Sequence, residues 1–273
     1  MLKSTQNRSR AITLKQFLFA VFGLATFASA PFSAHASEVA TDQSFTDITA
    51  STARETLSND APDWTTTRLA IVHQFAPRQS LRFDISRVSR FGLRDEAVTV
   101  AAYTPVSNKT TLYFEAMKSR EHNFLPSNAI QAQLLQSFEQ GYGAAVSVRH
   151  ARYDTSNVTI GEITLEKYFD NYGAAVTVYP SHSSSAGNAV SYRAAGAYYY
   201  GQRSNLQISL SRGNELDRAA AFLPITSTDI RSINIYGRHA FDDAWALDYA
   251  LGRATRAHLT HHEFGAGVSF RFQ

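Results

Sequence analysis

The sequence predicts an all-β protein, a transmembrane up-and-down antiparallel β-barrel of about 14 strands, within a range of about 12 to 16. Apolar and polar residues alternate along many successive segments, and turn residues separate these segments. An export signal precedes them. No stretch after Ala36 is long and apolar enough for a transmembrane helix, so a membrane protein with this sequence has to be a barrel.

Residues 1–36 have the features of a cleaved signal peptide. Basic residues precede the apolar run Phe17–Phe27, and a small-x-small site ends at Ala36. We expect cleavage between Ala36 and Ser37, with cleavage after Ala30 or an uncleaved anchor as alternatives. This segment holds four of the 26 basic residues and none of the 23 acidic ones, so the remaining chain is close to neutral. The sequence pI of 9.1 therefore gives no support for a nucleic-acid partner.

The remaining chain is long enough for one large domain. We expect residues 37–63 to be an N-terminal segment with a possible first strand, and residues 64–273 to form the barrel. The sequence has no cysteine. That excludes a disulfide scaffold, a cysteine-ligated metal site and a thiol nucleophile.

The end of the chain shows the alternation most clearly. From Glu263 to Phe272, phenylalanine, alanine and valine occupy one face, while Glu263, Ser269 and Arg271 share the other with glycines. The first face suits lipid and the second suits water. The segment Val158–Phe169 is less regular, because its apolar residues change faces.

The connections between these segments alternate along the chain between short and longer or more polar ones, as in outer-membrane barrels with short periplasmic turns. We expect the short ones near residues 76–78, 105–108, 139–141, 170–171, 201–202 and 242–243. The longer ones are expected near residues 59–63, 91–95, 120–126, 154–157, 181–188, 213–225 and 256–260.

From about Trp64 to Phe272 the chain resembles the YaiO family of outer-membrane β-barrel proteins. The resemblance implies an outer-membrane barrel without an established reaction, and it supplies no catalytic residues. The strings that carry it are RFGLRD at 90–95, TTLY at 110–113, KYFDNY at 167–172, YYYGQRS at 198–204, DIRS at 229–232, GRH at 237–239 and WALDY at 245–249.

Charged residues on the polar face are the candidate functional residues. Charges that face lipid near mid-membrane cost about 2–4 kcal/mol, whereas inward charges can set the selectivity of a pore. Their mixed signs fit an open channel and a salt-bridged interior that closes the pore equally well. The predicted lumen-lining residues are Arg82, Asp84, Glu115, Arg149, Arg193, Asp248, Glu263 and Arg271.

Catalytic alternatives are weaker. His258, His261 and His262 precede Glu263, but strand alternation places His261 and His262 on opposite faces. Ser183–Ser185 beside His182 lack the Gly-x-Ser-x-Gly turn of serine hydrolases. We expect no metal and no cofactor. Tyr198–Tyr200 could stack on sugars, although at least one of the three must face lipid or its border.

The leading functional hypothesis is a monomeric, non-enzymatic barrel in the outer membrane of a Gram-negative-type bacterium. It would pass hydrophilic solutes or assist export of an envelope polysaccharide. The alternatives are a lipid- or glycan-modifying enzyme, an adhesion barrel acting through the loop at 213–225, and a structural barrel with a closed lumen. The expected partners are outer-membrane lipid, lipopolysaccharide and the barrel-assembly machinery, with a surface polysaccharide as a further candidate and no nucleic acid.

Overall fold

A computed structural model of the chain describes residues 44–58, 62–218, 223–256 and 259–272. They form a closed antiparallel barrel in which each strand pairs with its neighbours in sequence and the last pairs with the first. The predicted signal peptide lies outside the described residues. No helix in the described ranges is long and apolar enough to cross a membrane.

The fourteen strands of the described residues confirm the predicted fold class. They are β1 (Phe45–Leu57), β2 (Trp64–Ala76), β3 (Gln79–Arg90), β4 (Leu93–Pro105), β5 (Thr110–Ser119), β6 (Asn128–Ser137), β7 (Tyr142–Arg152), β8 (Asn157–Phe169), β9 (Tyr172–Ser183), β10 (Gly187–Tyr200), β11 (Ser204–Asp217), β12 (Thr226–Ala240), β13 (Trp245–Arg256) and β14 (Leu259–Phe272).

Pairing of β1 with β14 closes the barrel. The register runs from Thr46 opposite Phe272 to Leu57 opposite His261. Lipid cannot satisfy the N–H and C=O groups of an open sheet edge, so this pairing is required for a membrane-spanning sheet. The barrel therefore begins at Phe45, before Trp64.

Exposure alternates along most of the strands and separates an outer from an inner face. Ile163 and Leu165 on β8 are 51% and 60% exposed, while Glu162 and Thr164 beside them are buried. A closed sheet that exposes its apolar side chains and buries its polar ones has its apolar face towards lipid. The outer face is therefore the lipid-facing surface, and the inner face lines the lumen.

Aromatic side chains form an outer girdle near one end of the barrel. Neighbouring rings are stacked, tilted or edge to face, with centroids 5.1–5.9 Å apart, along the row Phe169, Tyr172, Tyr198, Tyr200, His239 and Phe241. Both chain ends of the barrel lie at this end, which is the periplasmic side of bacterial barrels. Such girdles mark the border between hydrocarbon and water.

The short periplasmic connections occur where the sequence places them. In the turn between β12 and β13, the Asp242 carboxylate accepts hydrogen bonds from the backbone N–H groups of Trp245 (2.6 Å) and Ala244 (2.8 Å). These bonds stabilise the charged form and lower the pKa of Asp242.

Two outer connections are shorter than the sequence indicates. Between β3 and β4 the turn consists of Phe91 and Gly92 alone, and both have positive φ, 55° and 75°. A two-residue hairpin of this kind matches the twist of the strands but strains a residue with a Cβ. Between β9 and β10 only Ser184–Ala186 remain outside the strands. We expected longer or more polar connections at 91–95 and 181–188; both are shorter because the flanking strands extend into these residues.

Candidate functional site: the lumen

The periplasmic part of the lumen holds a charged cluster around Asp47 on β1. Nε and Nη2 of Arg271 donate to its carboxylate at 2.8 and 3.0 Å. Guanidinium nitrogens of Arg203 and Arg238 each lie 3.7 Å from it. Arg238 also donates to Asp248 at 2.7 Å, and Ser269 donates to Asp248 at 2.5 Å. We call these six residues the periplasmic cluster. It fills the lumen beside the seam where β1 meets β14.

A second network crosses β2, β3, β5 and β7. Asp84 accepts from Arg68 Nε at 2.8 Å and from Arg82 Nε at 2.5 Å. Glu115 accepts from Arg149 Nη1 and from the Tyr113 hydroxyl, both at 2.6 Å. We call these six residues the middle network. Each carboxylate has its basic or hydroxyl partners on the same wall, on its own strand and on a strand one or two positions away.

At the level of the middle network, some inner side chains keep part of their exposure and others are fully buried. The side chains of Arg149 and Glu115 keep 22% and 14% of their exposure. Gln207 on β11 has none. Opposite these long side chains, the inner face of β13 and β14 carries glycine at 252, 265 and 267. Long polar side chains on one wall and glycines on the other therefore line the interior at this level.

A third set of charges lies near the outer ends of the strands. Glu55 contacts Arg90 at 3.3 Å and His261 Nδ1 at 3.4 Å. Arg256 contacts Asp217 at 3.3 Å and Glu215 at 3.9 Å. The Arg90 guanidinium also lies 4.0 Å from the centroid of the Trp64 ring, so this set joins charged and aromatic side chains.

The connection between β5 and β6, residues 120–127, folds onto the inner wall. Its Phe124 and Leu125 are buried in one apolar cluster with the inward residues Val88 and Ala97. We call this segment the inner loop. Apolar burial of this kind holds a loop in place without any strand pairing.

Asp95 on β4 anchors the inner loop. Its fully buried carboxylate accepts four hydrogen bonds, from the backbone N–H groups of Asn123, Phe124 and Leu125 at 2.9, 2.9 and 2.8 Å and from the Asn123 side-chain amide at 2.8 Å. A buried carboxylate is stable only when it is fully hydrogen-bonded. The loop and the carboxylate therefore stabilise each other.

The connection between β11 and β12 meets the inner loop. Nη1 of Arg218 donates to the carbonyl oxygen of Asn123 at 3.1 Å, 95 residues away in sequence. The Arg218 guanidinium also lies 5.4 Å from the centroid of the Tyr153 ring, and burial raises the pKa of Tyr153. Ile225, from the same connection, is buried in a cluster with Val158 and Ile160. The outer end of the lumen is thus covered by two connections that touch.

This cover also explains the irregular pattern of β8. Val158 and Ile160 lie on its inner face, the face that carries Glu162 and Tyr168 further down. At the outer end of β8 the apolar residues lie on the inner face, because the interior there is apolar. Further down the strand they lie on the outer face, which contacts lipid.

All eight predicted lumen residues lie on inner-face positions of their strands. Arg82, Asp84, Glu115 and Arg149 belong to the middle network, while Asp248 and Arg271 belong to the periplasmic cluster. Arg193 on β10 donates from Nε to the Ser211 hydroxyl at 3.3 Å. Glu263 is half-buried directly opposite Glu55.

The histidine and serine candidates do not assemble into a site. His261 is buried against Glu55, whereas His262 is exposed on the outer face. His258 lies outside the described residues. Ser183 is buried and His182 is exposed on alternate faces of β9, and His182 contacts Asn188 at 2.8 Å. No group of three or more potential metal ligands occurs among the described residues.

Several inward charges escaped the sequence reasoning. Alternation could have found Arg68 and Arg238, because each lies on the face of its strand opposite to the exposed apolar residues. Asp47 was missed because the first strand alternates poorly. Asp95 was assigned to a loop, although its position at the start of β4 gives it the anchoring role.

Comparison with known proteins places this geometry in a family. The family model described as the YaiO membrane beta barrel domain matches residues 46–217. Among solved structures, the CymD monoaromatic hydrocarbon channel superposes with a TM-score of 0.55 at 8% identity, covering 84% of this chain and 88% of that one. The Acinetobacter baumannii outer membrane protein Omp33 gives a TM-score of 0.52 at 12% identity, with 84% and 99% covered.

These structural likenesses show the fold alone. No curated protein matches the chain significantly in sequence. The family match covers more than half of the chain and includes the closing strand β1 and the inner loop. The protein is therefore a β-barrel of the outer membrane, and it belongs to the YaiO family of membrane β-barrels.

Proposed function

We propose that the protein passes small hydrophilic solutes across the outer membrane, through a lumen that the inner loop closes in the conformation described above. The observation that carries this proposal is a polar, charge-lined interior with partly exposed side chains at mid-height, beneath a loop that packs on the inner wall without strand pairing. A permanently open pore would not hold its cover with a buried carboxylate.

The inner loop is the movable part of this pathway. Its attachment combines the apolar burial of Phe124 and Leu125 with the hydrogen bonds to Asp95, and further bonds join its two ends to the neighbouring strands. The bonds to Asp95 do not belong to the ladder of the barrel, so displacing the middle of the loop would leave the fourteen strands intact and open the interior to the outside.

Conductance measurements test this pathway. In planar bilayers the wild-type protein is expected to conduct rarely, and Asp95→Asn to raise the open probability at least about fivefold, because a neutral amide is a weaker acceptor for three backbone N–H groups. Asp170→Asn, in an exposed periplasmic turn, is the matched control and should behave as wild type. Absence of current from both the wild type and Asp95→Asn would overturn the proposal.

We infer a second candidate role, assistance in export of an envelope polysaccharide, from the aromatic inner wall. Tyrosine rings and hydroxyl groups suit sugars, and six tyrosines occupy inner positions, five of them buried in this conformation. Block of the Asp95→Asn current by neutral oligosaccharides, and not by glycerol, would favour this role. The inner tyrosines are Tyr103, Tyr113, Tyr168, Tyr179, Tyr199 and Tyr236.

We infer a non-enzymatic role for the same lumen. The candidate base His261 is held by Glu55, and the neighbouring His262 faces the opposite side of the sheet. The inward charges of the middle network are paired with one another, as expected for positions that shape a pathway rather than attack a substrate.

A further inference from the structure

A row of basic residues crosses the outer face of β11, β12, β13 and β14. Register places Arg212 directly opposite Arg231, and Arg253 directly opposite His262. All four side chains are exposed. We call these four residues the basic row. Basic residues directly opposite each other on one face of a sheet repel and destabilise the pairing.

The row lies at the upper border of the lipid-facing belt. Two residues closer to the membrane on each strand, the outer face is apolar, with Leu210 opposite Ile233 and Leu251 opposite Phe264. These four side chains are 45–60% exposed. The basic row therefore sits where hydrocarbon ends and head groups begin, on the side away from both chain ends.

Neighbouring acidic groups do not neutralise the row. Within the described ranges, the Arg231 guanidinium has Asp229 at 3.7 Å, and no acidic side chain lies within ion-pair distance of Arg212 or Arg253. By contrast, Arg87 on the outer face of β3 contacts Glu96 at 2.7 Å. The row thus retains positive charge that a ligand can use.

We propose that the basic row binds the phosphate groups of lipid A in the outer leaflet, with the acyl chains on the apolar residues below. Guanidinium groups bind phosphate through paired, charge-assisted hydrogen bonds. The hydroxyls of Thr255 and Thr260, 3.4 Å apart just above the row, provide further donors. The site faces the lipid and is independent of whether the lumen conducts.

Native mass spectrometry of the refolded full chain in neutral detergent tests the proposal. The probes are bisphosphorylated lipid A, the same lipid with both phosphates removed, and phosphatidylglycerol. Wild type is expected to bind the bisphosphorylated form at least about tenfold more tightly than either of the others, and the preference should weaken with salt. In Arg212→Gln/Arg253→Gln the preference should fall by about tenfold.

Two further variants separate charge from structure. Arg212→Lys/Arg253→Lys keeps the charge and should retain most of the preference, whereas Arg87→Gln removes a paired arginine from the outer face and should change nothing. Heat-dependent gel mobility reports the folding of each variant. An unchanged preference in Arg212→Gln/Arg253→Gln would overturn the proposal, and so would equal binding of phosphatidylglycerol or dephosphorylated lipid A by wild type.

Discussion

Asp47 illustrates how single residues stabilise this barrel from inside. One buried carboxylate on the first strand meets Arg271 on the last strand, with Arg203 and Arg238 beside it. A buried charge without its partner costs far more than an exposed one, because little water can reach it. The cluster therefore links barrel closure to the correct pairing of a few charges.

Asp47→Asn is expected to lower the free energy of unfolding by about 3 kcal/mol, because it leaves three guanidinium groups next to one another without their shared carboxylate. Urea unfolding in detergent, followed by tryptophan fluorescence, measures the loss. Glu139→Gln removes an exposed partner of Lys109 and should cost less than about 0.5 kcal/mol. Equal effects of the two substitutions would show that the periplasmic cluster does not contribute.

A double-mutant cycle tests the contact between Asp47 and Arg271 directly. If Arg271→Gln costs less in the Asp47→Asn background than in wild type, the two residues are coupled.

The inward residues show what the sequence can and cannot reveal at this scale. Alternation placed Arg271 and Asp248 on the polar face, but it could not name their partners. The partner of Arg271 is Asp47, 224 residues away, and only closure of the sheet brings them together. Asp95 lies among strand residues that look ordinary, and its role depends on a loop that folds back from 29 residues further on.

At the scale of strands, the outer face contacts lipid and the inner face lines the polar lumen, so the two faces carry different kinds of residue. The lipid-facing side of β8 carries Ile163 and Leu165, while its inner side carries Glu162 and Thr164. The same strand changes character at its outer end, where it packs against the covered interior. Period-two alternation thus predicted the existence and number of strands well, and it failed where a strand leaves the membrane.

A charge on the outer face of β8 tests the position of the membrane. Leu165→Arg is expected to destabilise the folded barrel by about 2–4 kcal/mol in lipid bilayers, since the side chain lies within the apolar belt. Asn157→Arg, at the outer end of the same strand, should cost less than about 1 kcal/mol. Reversible folding into liposomes gives both values. Similar costs at the two positions would mean that the belt does not lie where the exposed apolar residues indicate.

At the scale of the whole molecule, closure is the property on which the rest depends. The family resemblance became visible in the sequence from about Trp64, whereas the family match and the barrel begin one strand earlier, at about Thr46. The difference has a physical origin. β1 (Phe45–Leu57) carries polar residues on both faces, with Ser51 inward and Thr52 outward, so its hydrophobic pattern is weak. Its identity as a strand is set by pairing with both β2 and β14.

A mature chain that starts at Trp64 is therefore expected not to assemble in membranes. Without β1 the barrel would have thirteen strands, and both β2 and β14 would expose a row of N–H and C=O groups to lipid. It would also lose Asp47 and Glu55, which leaves Arg271 and Arg90 without their carboxylates.

Expression behind a signal peptide, followed by membrane fractionation and gels run with and without boiling, measures assembly. The chain that starts at Ser37 should reach the outer membrane and shift its mobility on boiling, whereas the truncated chain should do neither. A heat-modifiable, membrane-inserted product from the truncated chain would mean that β2 and β14 can close the sheet directly, and that the interior charges adjust to a smaller barrel.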